Sequence, residues 1–206
     1  MPSKKNTPKL ATLVLAAGSS SRLGEMKQLV DYRGQSLLAR ACGLAIDSCE
    51  QVHCILGFQA ERLLGELADK QVNILVNAHW RSGMSSSIAA GIRQVSEDID
   101  AVLILLVDQW QLEASHIKRL IESWQKAPEK ISLACKNAVG ENNAAMGPPV
   151  IFPRRYFSEL MELTGEQGAR PLLRKHGRAL NLMVLPQAFT DLDTPEQLRQ
   201  LRAIDK

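Results

Sequence analysis

Over most of its length the sequence has no excess of charge of either sign. The 206 residues include 25 Lys and Arg against 22 Asp and Glu. Three of the basic residues, Lys4, Lys5 and Lys9, lie among the first nine residues, which include no acidic residue. The remainder is therefore neutral, which argues against a broad nucleic-acid-binding surface. We expect no nucleic-acid partner.

Long hydrophobic runs are also missing. No stretch reaches the roughly 18 apolar residues of a membrane-spanning helix, and the first ten residues lack the apolar segment of a signal peptide. We therefore expect a cytoplasmic protein with no membrane partner. With 45% apolar residues, the chain can bury one substantial core. We predict a flexible basic leader at residues 1–8 and a single domain at residues 9–206.

Cysteines with the spacing of a metal site are absent as well. Cys42, Cys49, Cys54 and Cys135 are scattered along the chain without a CxxC motif. This distribution predicts reduced, mostly buried thiols. It argues against both a zinc site and a disulfide framework.

The sequence does contain a regular alternation of apolar runs and helical patterns. Four runs are too apolar to be half-exposed and predict buried, mainly parallel strands, at residues 10–15, 52–56, 72–76 and 101–107. Helical spacing of apolar residues follows at 36–45, 60–67, 84–95 and 113–124. Successive βα units predict a Rossmann-like α/β fold, a three-layer sandwich around a mostly parallel sheet.

The rhythm changes after Pro128. Residues 131–135, a Gly- and Asn-rich stretch at 140–147, and residues 150–152 follow one another without a helical pattern. They predict a small inserted, hairpin-like β element.

The first predicted strand ends in a loop of small and polar residues, AAGSSSRLG at 16–24, with Lys27 shortly after it. Gly18 and Gly24 permit unusual backbone dihedrals, and Arg22 and Lys27 supply positive charge. The loop is therefore suited to cradle a triphosphate. It matches neither a Walker A nor a GxGxxG motif, and an ordinary strand-to-helix loop is the alternative.

Acidic residues mark two other predicted strand ends. Asp108 directly follows the most apolar strand, where a carboxylate is well placed to hold Mg²⁺ against phosphate oxygens. In DLDTPE at 191–196, Asp193 would complete the metal site, and Asp191 is a weaker candidate. The alternatives are a turn residue at Asp108 and a helix cap at Asp193 or Thr194.

Two further loops lead into predicted helices. In NAHWRSGMSSS at 77–87, Gly83 allows close backbone approach, and Ser86 or Ser87 would contact a base or ribose, or else cap the helix. Residues 165–170 open another helix, whose amino terminus is suited to an acceptor phosphate, with Arg170 as the contact. A plain loop with a cap is the alternative there.

Together these segments resemble the nucleotidyltransferases of molybdenum-cofactor biosynthesis, particularly the molybdopterin cytidylyltransferase branch. LAAGSSSRLGEMKQL is similar to the family's LAAGxSxRxGxxK signature, NAHWRSGMSSSIAAG to its NxxxxxGxxxSxxxG element and LLVDQ to its LxxDQP strand end. GPPVIF, GEQGAR and DLDTPEQL resemble its GHPVLF, GDxGAR and DxDTPED segments. The resemblance covers nearly the whole chain from Leu10 onward.

The resemblance implies the fold of nucleotide-diphospho-sugar transferases. It also implies Mg²⁺-dependent transfer of a nucleoside monophosphate from a nucleoside triphosphate to the phosphate of molybdopterin, with release of pyrophosphate. The implied nucleotide contacts are Ala16, Ala17, Gly18, Asn77, Gly83, Ser86 and Ser87. The implied catalytic residues are Arg22, Lys27 and Asp108, the metal ligands Asp108 and Asp193, and the acceptor contact Arg170. Ala16-Ala17 favours CTP, because the guanylyl branch has Ala-Gly-Gly there.

The sequence departs from the family at two places. Trp110 stands where the family has Pro, and Pro148 where it has His, so both departures bear on acceptor binding. One alternative function is transfer to another phosphorylated small molecule, such as a sugar phosphate. Another is a non-catalytic nucleotide-binding chaperone for a molybdoenzyme client, which the retention of Lys27, Asp108 and Asp193 disfavours.

Overall fold

The computed structural model of the protein describes residues 8–137 and 145–204. The predicted leader lies outside the described residues except for Pro8, as do residues 140–144 of the Gly- and Asn-rich stretch. Within the described ranges, no helix has the length and apolar character needed to cross a membrane.

Seven of the described strands form one sheet. In chain order the strands are β1 (Leu10–Ala16), β2 (Asp31–Tyr32), β3 (Gln35–Ser36), β4 (Gln51–Leu56), β5 (Asn73–Val76), β6 (Ala101–Leu106), β7 (Ile131–Cys135), β8 (Met146–Pro153) and β9 (Leu180–Val184). The order across the large sheet is β5-β4-β1-β6-β8-β7-β9, and β2 pairs with β3 in a separate small sheet. The pairs among β5, β4, β1 and β6 are parallel, whereas β8 is antiparallel to both β6 and β7.

Helices cover both faces of this sheet. They are α1 (Leu37–Ile46), α2 (Met84–Ile92), α3 (Ala114–Gln125), α4 (Phe157–Met161), α5 (Arg170–Lys175) and α6 (Pro195–Ile204). Alternate residues of β1 face opposite sides: Val14 and Ala16 join the core beneath α1, α3 and α6, and Leu13 and Leu15 join the core beneath α2, α4 and α5. The predicted three-layer α/β fold is confirmed.

Two local predictions were wrong. Residues 60–67 form two short 3₁₀ turns, Ala60–Arg62 and Leu64–Leu67, because a segment this short and interrupted by Gly65 gains little from α-helical hydrogen bonds. β5 is not fully buried: it lies at the sheet edge, and Ile74 and Val76 are exposed. The predicted hairpin-like element is confirmed: β7 and β8 pair antiparallel, and both belong to the main sheet.

The parallel strands bring several chain segments to one edge of the sheet. Phe58, after β4, donates its backbone N–H to the Ala17 carbonyl after β1, at 3.0 Å. Asn77, after β5, donates to the Leu56 carbonyl at 2.8 Å, and Val107, after β6, donates to the Leu15 carbonyl at 3.3 Å. The loops that carry the predicted functional residues therefore start side by side.

Trp124 anchors α3 in the core. Its side chain is 1% exposed, and its indole N–H donates to the Pro128 carbonyl at 3.3 Å. We expect Trp124→Ala to lower the free energy of unfolding by about 3–5 kcal/mol, because it leaves a large cavity. Urea unfolding measures this change. Ile204→Ala is the control: this side chain is 62% exposed, so a change under about 0.5 kcal/mol is expected. Equal effects of the two substitutions would contradict the placement of Trp124.

Candidate active site

A cavity of about 590 Å³ opens at the carboxyl edge of the parallel strands. Its walls come from the loops that follow β1, β5 and β6, from the segment before α6, and from the segment that leads into α5. The predicted residues that line it are Ala16, Ala17, Gly18, Arg22, Lys27, Gly83, Ser87, Asp108, Arg170, Asp191 and Asp193. Residues that are far apart in the sequence thus share one cavity, the usual position for a ligand in such sheets.

The loop after β1 is held in shape by a buried glutamine. The Gln28 side-chain amide donates to the carbonyls of Ala16 and Gly18, both at 2.8 Å, and it is 1% exposed. The Ser20 hydroxyl accepts a hydrogen bond from the Lys27 backbone N–H at 3.2 Å. These bonds fix the turn around Ala17 and connect it to the segment that carries Lys27. Sequence analysis missed Gln28, although a polar residue between Lys27 and the apolar Leu29 was a usable signal.

Lys27 lies between two of the predicted carboxylates. Its ammonium nitrogen is 2.7 Å from Asp108 Oδ2 and 2.6 Å from Asp193 Oδ1. The side chains of Lys27 and Asp108 are 13% and 15% exposed, so water screens this pair only weakly. Burial alone would lower the pKa of Lys27, but the attraction and hydrogen bonds of Asp108 and Asp193 outweigh it and raise that pKa. Lys27 therefore stays charged at neutral pH.

Two more charged groups adjoin this cluster. The guanidinium of Arg22, which is largely exposed, is 3.5 Å from Asp193 Oδ2. Burial, together with repulsion from Asp108 and Asp193, raises the pKa of Asp191 to about 6, although Lys27 and Arg170 oppose this change. Burial is the largest of these causes.

The cluster has the oxygen donors that a small divalent cation requires. Asp108 Oδ1 is buried and has no hydrogen-bond partner, and an unpaired buried oxygen of this kind is costly unless something binds it. No group of three His, Cys, Asp or Glu residues in the described part of the chain is arranged to hold a metal ion by itself. Mg²⁺ commonly binds one or two carboxylates and completes its shell with phosphate oxygens and water. Asp108 and Asp193 therefore fit Mg²⁺ that arrives with a nucleotide.

The loop between β5 and α2 supplies another part of the wall. Gly83 and Ser87 line the cavity, but Asn77 and Ser86 do not. The Asn77 side-chain amide donates to the hydroxyls of Ser86 and Ser87, at 2.9 and 3.0 Å, and Asn77 is 5% exposed. Asn77 and Ser86 thus stabilise the loop by hydrogen bonds without lining the cavity, whereas Gly83 and Ser87 reach the cavity surface.

Gly83 is needed where this loop meets the segment before α5. Its φ is +98°, and a Cβ added there would lie 2.4 Å from the Gly165 carbonyl oxygen. The Ser85 backbone N–H donates to that same oxygen at 3.2 Å. The contact brings Glu166 and Arg170 into the cavity wall. Because α5 has only six residues, Arg170 itself offers a stronger anion contact than the helix terminus.

The two departures from the family pattern do not obstruct the cavity. Trp110 is 6% exposed and packs edge-to-face against Tyr32, with ring centroids 5.2 Å apart. The backbone carbonyl of Pro148 accepts a hydrogen bond from the Gln109 side chain at 2.7 Å. Neither Trp110 nor Pro148 lines the cavity, so the substitution by Trp110 is absorbed by the core.

Other side chains in the wall were not assigned a role from the sequence. They include Trp80, Arg81, Met84 and Glu166. Sequence spacing alone does not distinguish them from ordinary loop residues, because their position depends on how two distant loops pack together.

The chain is similar to a known family and to several curated proteins. Residues 12–180 match the family described as the MobA-like NTP transferase domain. The nicotine blue oxidoreductase of Paenarthrobacter nicotinovorans is 30% identical over 200 residues, covering 94% of this chain and 97% of that protein. The purine catabolism protein PucB of Bacillus subtilis is 27% identical and covers 95% and 97%. A probable molybdenum cofactor guanylyltransferase of Synechococcus elongatus is 26% identical and covers 78% and 79%.

Solved structures show the same fold. The Rv0371c protein of Mycobacterium tuberculosis superposes with a TM-score of 0.79 at 24% identity, covering 95% of this chain and 98% of that one. A manganese complex of Rv0371c superposes with a TM-score of 0.74 at 22% identity, with the same coverage. Since the family match spans most of the chain and coincides with the loop, the lysine and Asp108, the chain belongs to the MobA-like NTP transferase family.

Proposed function

We propose that this protein is a Mg²⁺-dependent nucleotidyltransferase that passes CMP from CTP to the phosphate of molybdopterin and releases pyrophosphate. The observation that carries the proposal is that Lys27, which follows the loop after β1, contacts both Asp108 and Asp193. A lysine and two carboxylates in one cavity are the groups needed to bind a triphosphate together with a divalent cation.

The chain's own residues would act mainly by positioning and by neutralising charge. Lys27 and Arg22 attract the triphosphate, and the loop around Gly18 has open space beside it, since a Cβ at Gly18 would meet no atom within 4 Å. When bound on Asp108 and Asp193, Mg²⁺ would supply positive charge to the α-phosphate and acceptor oxygens. Arg170, which lines the same cavity, would hold the acceptor phosphate.

The acceptor requires no strong general base. A phosphate monoester has a second pKa near 6, so it is mostly a dianion at neutral pH. One of its oxygens would form the new bond to the α-phosphorus, while the bond from that phosphorus to the oxygen bridging the α- and β-phosphates breaks. The leaving group is pyrophosphate, whose negative charge Lys27 and Arg22 stabilise.

One sequence feature and the names of the relatives bear on which nucleotide is the donor and which molecule is the acceptor. Ala16-Ala17 supports CTP, whereas the relative named as a probable guanylyltransferase makes GTP the competing donor. Two other relatives have names that do not state nucleotidyl transfer. Donor choice, acceptor choice and a client molybdoenzyme therefore each need a separate readout.

The reaction is tested by pyrophosphate release. CTP, GTP, ATP and UTP would each be incubated with the protein, Mg²⁺ and molybdopterin, and the product identified by its mass. We expect release with CTP, and a loss on the order of a hundredfold or more in Asp108→Asn, because the substitution removes a metal-binding charge. Asp98→Asn is the control, since Asp98 pairs with Lys9 on the surface, and it should leave the rate unchanged.

The outcomes separate the alternatives. Pyrophosphate release with GTP alone would mean that the donor is GTP, while the proposed reaction type stands. Release only when a sugar phosphate replaces molybdopterin would mean that the acceptor is a sugar phosphate. Nucleotide binding without turnover on any acceptor would favour a non-catalytic chaperone for a molybdoenzyme client.

A second prediction concerns Lys27 as an internal cation. Lys27→Met leaves Asp108 and Asp193 without their shared positive charge, so a divalent cation should bind this pair in the absence of nucleotide. We expect Mg²⁺ to stabilise the variant more than the wild type, by about 1.4 kcal/mol when its concentration is tenfold above its Kd. Thermal unfolding with and without Mg²⁺ measures the difference.

The matched control is Lys175→Met, which breaks the surface ion pair with Glu159. Its response to Mg²⁺ should equal that of the wild type. If Lys27→Met also responds no more than the wild type, the two carboxylates do not form a cation site.

A further inference from the structure

Trp80 is a large aromatic side chain on the wall of the cavity. It is partly exposed, whereas Trp110 and Trp124 are 6% and 1% exposed. Met84, four residues further on, lines the same cavity and is 40% exposed. Large apolar side chains that are partly exposed in the wall of a cavity are typical of a site for an aromatic or apolar part of a ligand.

Contacts from neighbouring loops restrict the position of Trp80. A Cβ on Gly57 would lie 2.6 Å from Trp80 Cβ, so only glycine lets the two loops approach this closely. The Phe58 ring meets the Trp80 ring edge-to-face, with centroids 5.6 Å apart. The Arg81 guanidinium lies 4.8 Å from the centre of the Trp80 ring. The ring is thus fixed before any ligand binds, which lowers the entropy cost of binding.

The packing also indicates which part of the substrates Trp80 meets. The Cβ position of Gly57 that nearly touches Trp80 is also within 3 Å of the Ala17 carbonyl and side chain, where the phosphate-binding loop begins. Trp80 follows β5, on the β4 and β5 side of β1, whereas Asp108 follows β6 on the other side. Arg170, the proposed acceptor contact, instead belongs to the wall segment that packs against Gly83. Trp80 therefore flanks the nucleotide end of the cavity.

We propose that Trp80 is the surface on which the base of the bound nucleotide stacks, an inference that rests on the function proposed above. Stacking on an aromatic ring tolerates every base, because each base has a π-face. Trp80 thus provides affinity for a nucleoside triphosphate over a bare polyphosphate and does not select among CTP, GTP and ATP. The adjacent Arg81 adds positive charge beside the stacked ring.

The test compares ligands with and without a base. Binding of CTP, GTP and inorganic tripolyphosphate, each with Mg²⁺, would be measured by calorimetry for wild type, Trp80→Phe and Trp80→Ala. We expect Trp80→Ala to weaken the binding of CTP and of GTP about tenfold and to leave the binding of tripolyphosphate unchanged. Trp80→Phe should have an intermediate effect on CTP and GTP binding. Leu64→Ala, which removes an exposed side chain outside the cavity, is the control and should bind all three as the wild type does.

Tryptophan fluorescence gives an independent readout that does not depend on the stability of Trp80→Ala. CTP should quench the emission of the wild type, tripolyphosphate should not, and Trp80→Phe should bind CTP without that quenching. The proposal would be overturned if a folded Trp80→Ala variant lost affinity for CTP and for tripolyphosphate equally, or if its CTP affinity were unchanged.

The inference and the proposed function fail in different ways. If Asp108→Asn abolishes turnover but CTP affinity is independent of Trp80, only the stacking role is wrong. If CTP binds through Trp80 but no acceptor is ever modified, the transferase function is wrong and the stacking role stands. A wild-type protein that binds no nucleoside triphosphate would overturn both.

Discussion

The ion cluster in which Lys27 contacts Asp108 and Asp193 is the interaction on which the rest of the site depends. Partly burying these charges costs desolvation, which their mutual attraction and hydrogen bonds offset. The cluster also ties the loop after β1 to the end of β6 and to the segment before α6. One lysine therefore connects the parts of the site that must act on a single nucleotide.

The parallel sheet makes this convergence possible, and glycines then determine how closely the loops pack. Loops after β1, β4, β5 and β6 leave the same edge because those strands run in the same direction. Gly57 lets Trp80 approach Ala17, and Gly83 lets the loop before α2 touch Gly165. As a result, the phosphate-binding loop, the partly exposed tryptophan and Arg170 line one cavity although they are distant in sequence.

Much of the fold could be predicted because strand ends carry recognisable residues. Lys27, Asp108 and Asp193 stood out as charges at strand ends or beside a glycine-containing loop, and the structure brings them together. Gln28 was missed: its polar character beside Leu29 marks it, but its role depends on which carbonyls fold next to it. Asn77 was expected to contact the nucleotide, yet its side-chain amide donates hydrogen bonds to two serine hydroxyls and does not line the cavity. The exposure of β5 likewise depends on strand order, which apolar composition alone does not reveal.

In the proposed reaction, Asp108 and Asp193 bind a divalent cation together with the nucleotide. Calorimetric titration of CTP with and without Mg²⁺, for the wild type and for a variant with both Asp108→Asn and Asp193→Asn, tests this binding. We expect Mg²⁺ to strengthen CTP binding by the wild type about tenfold or more, and to have no such effect on the double variant. CTP binding that does not respond to Mg²⁺ in the wild type, or responds equally in the double variant, would contradict the claim.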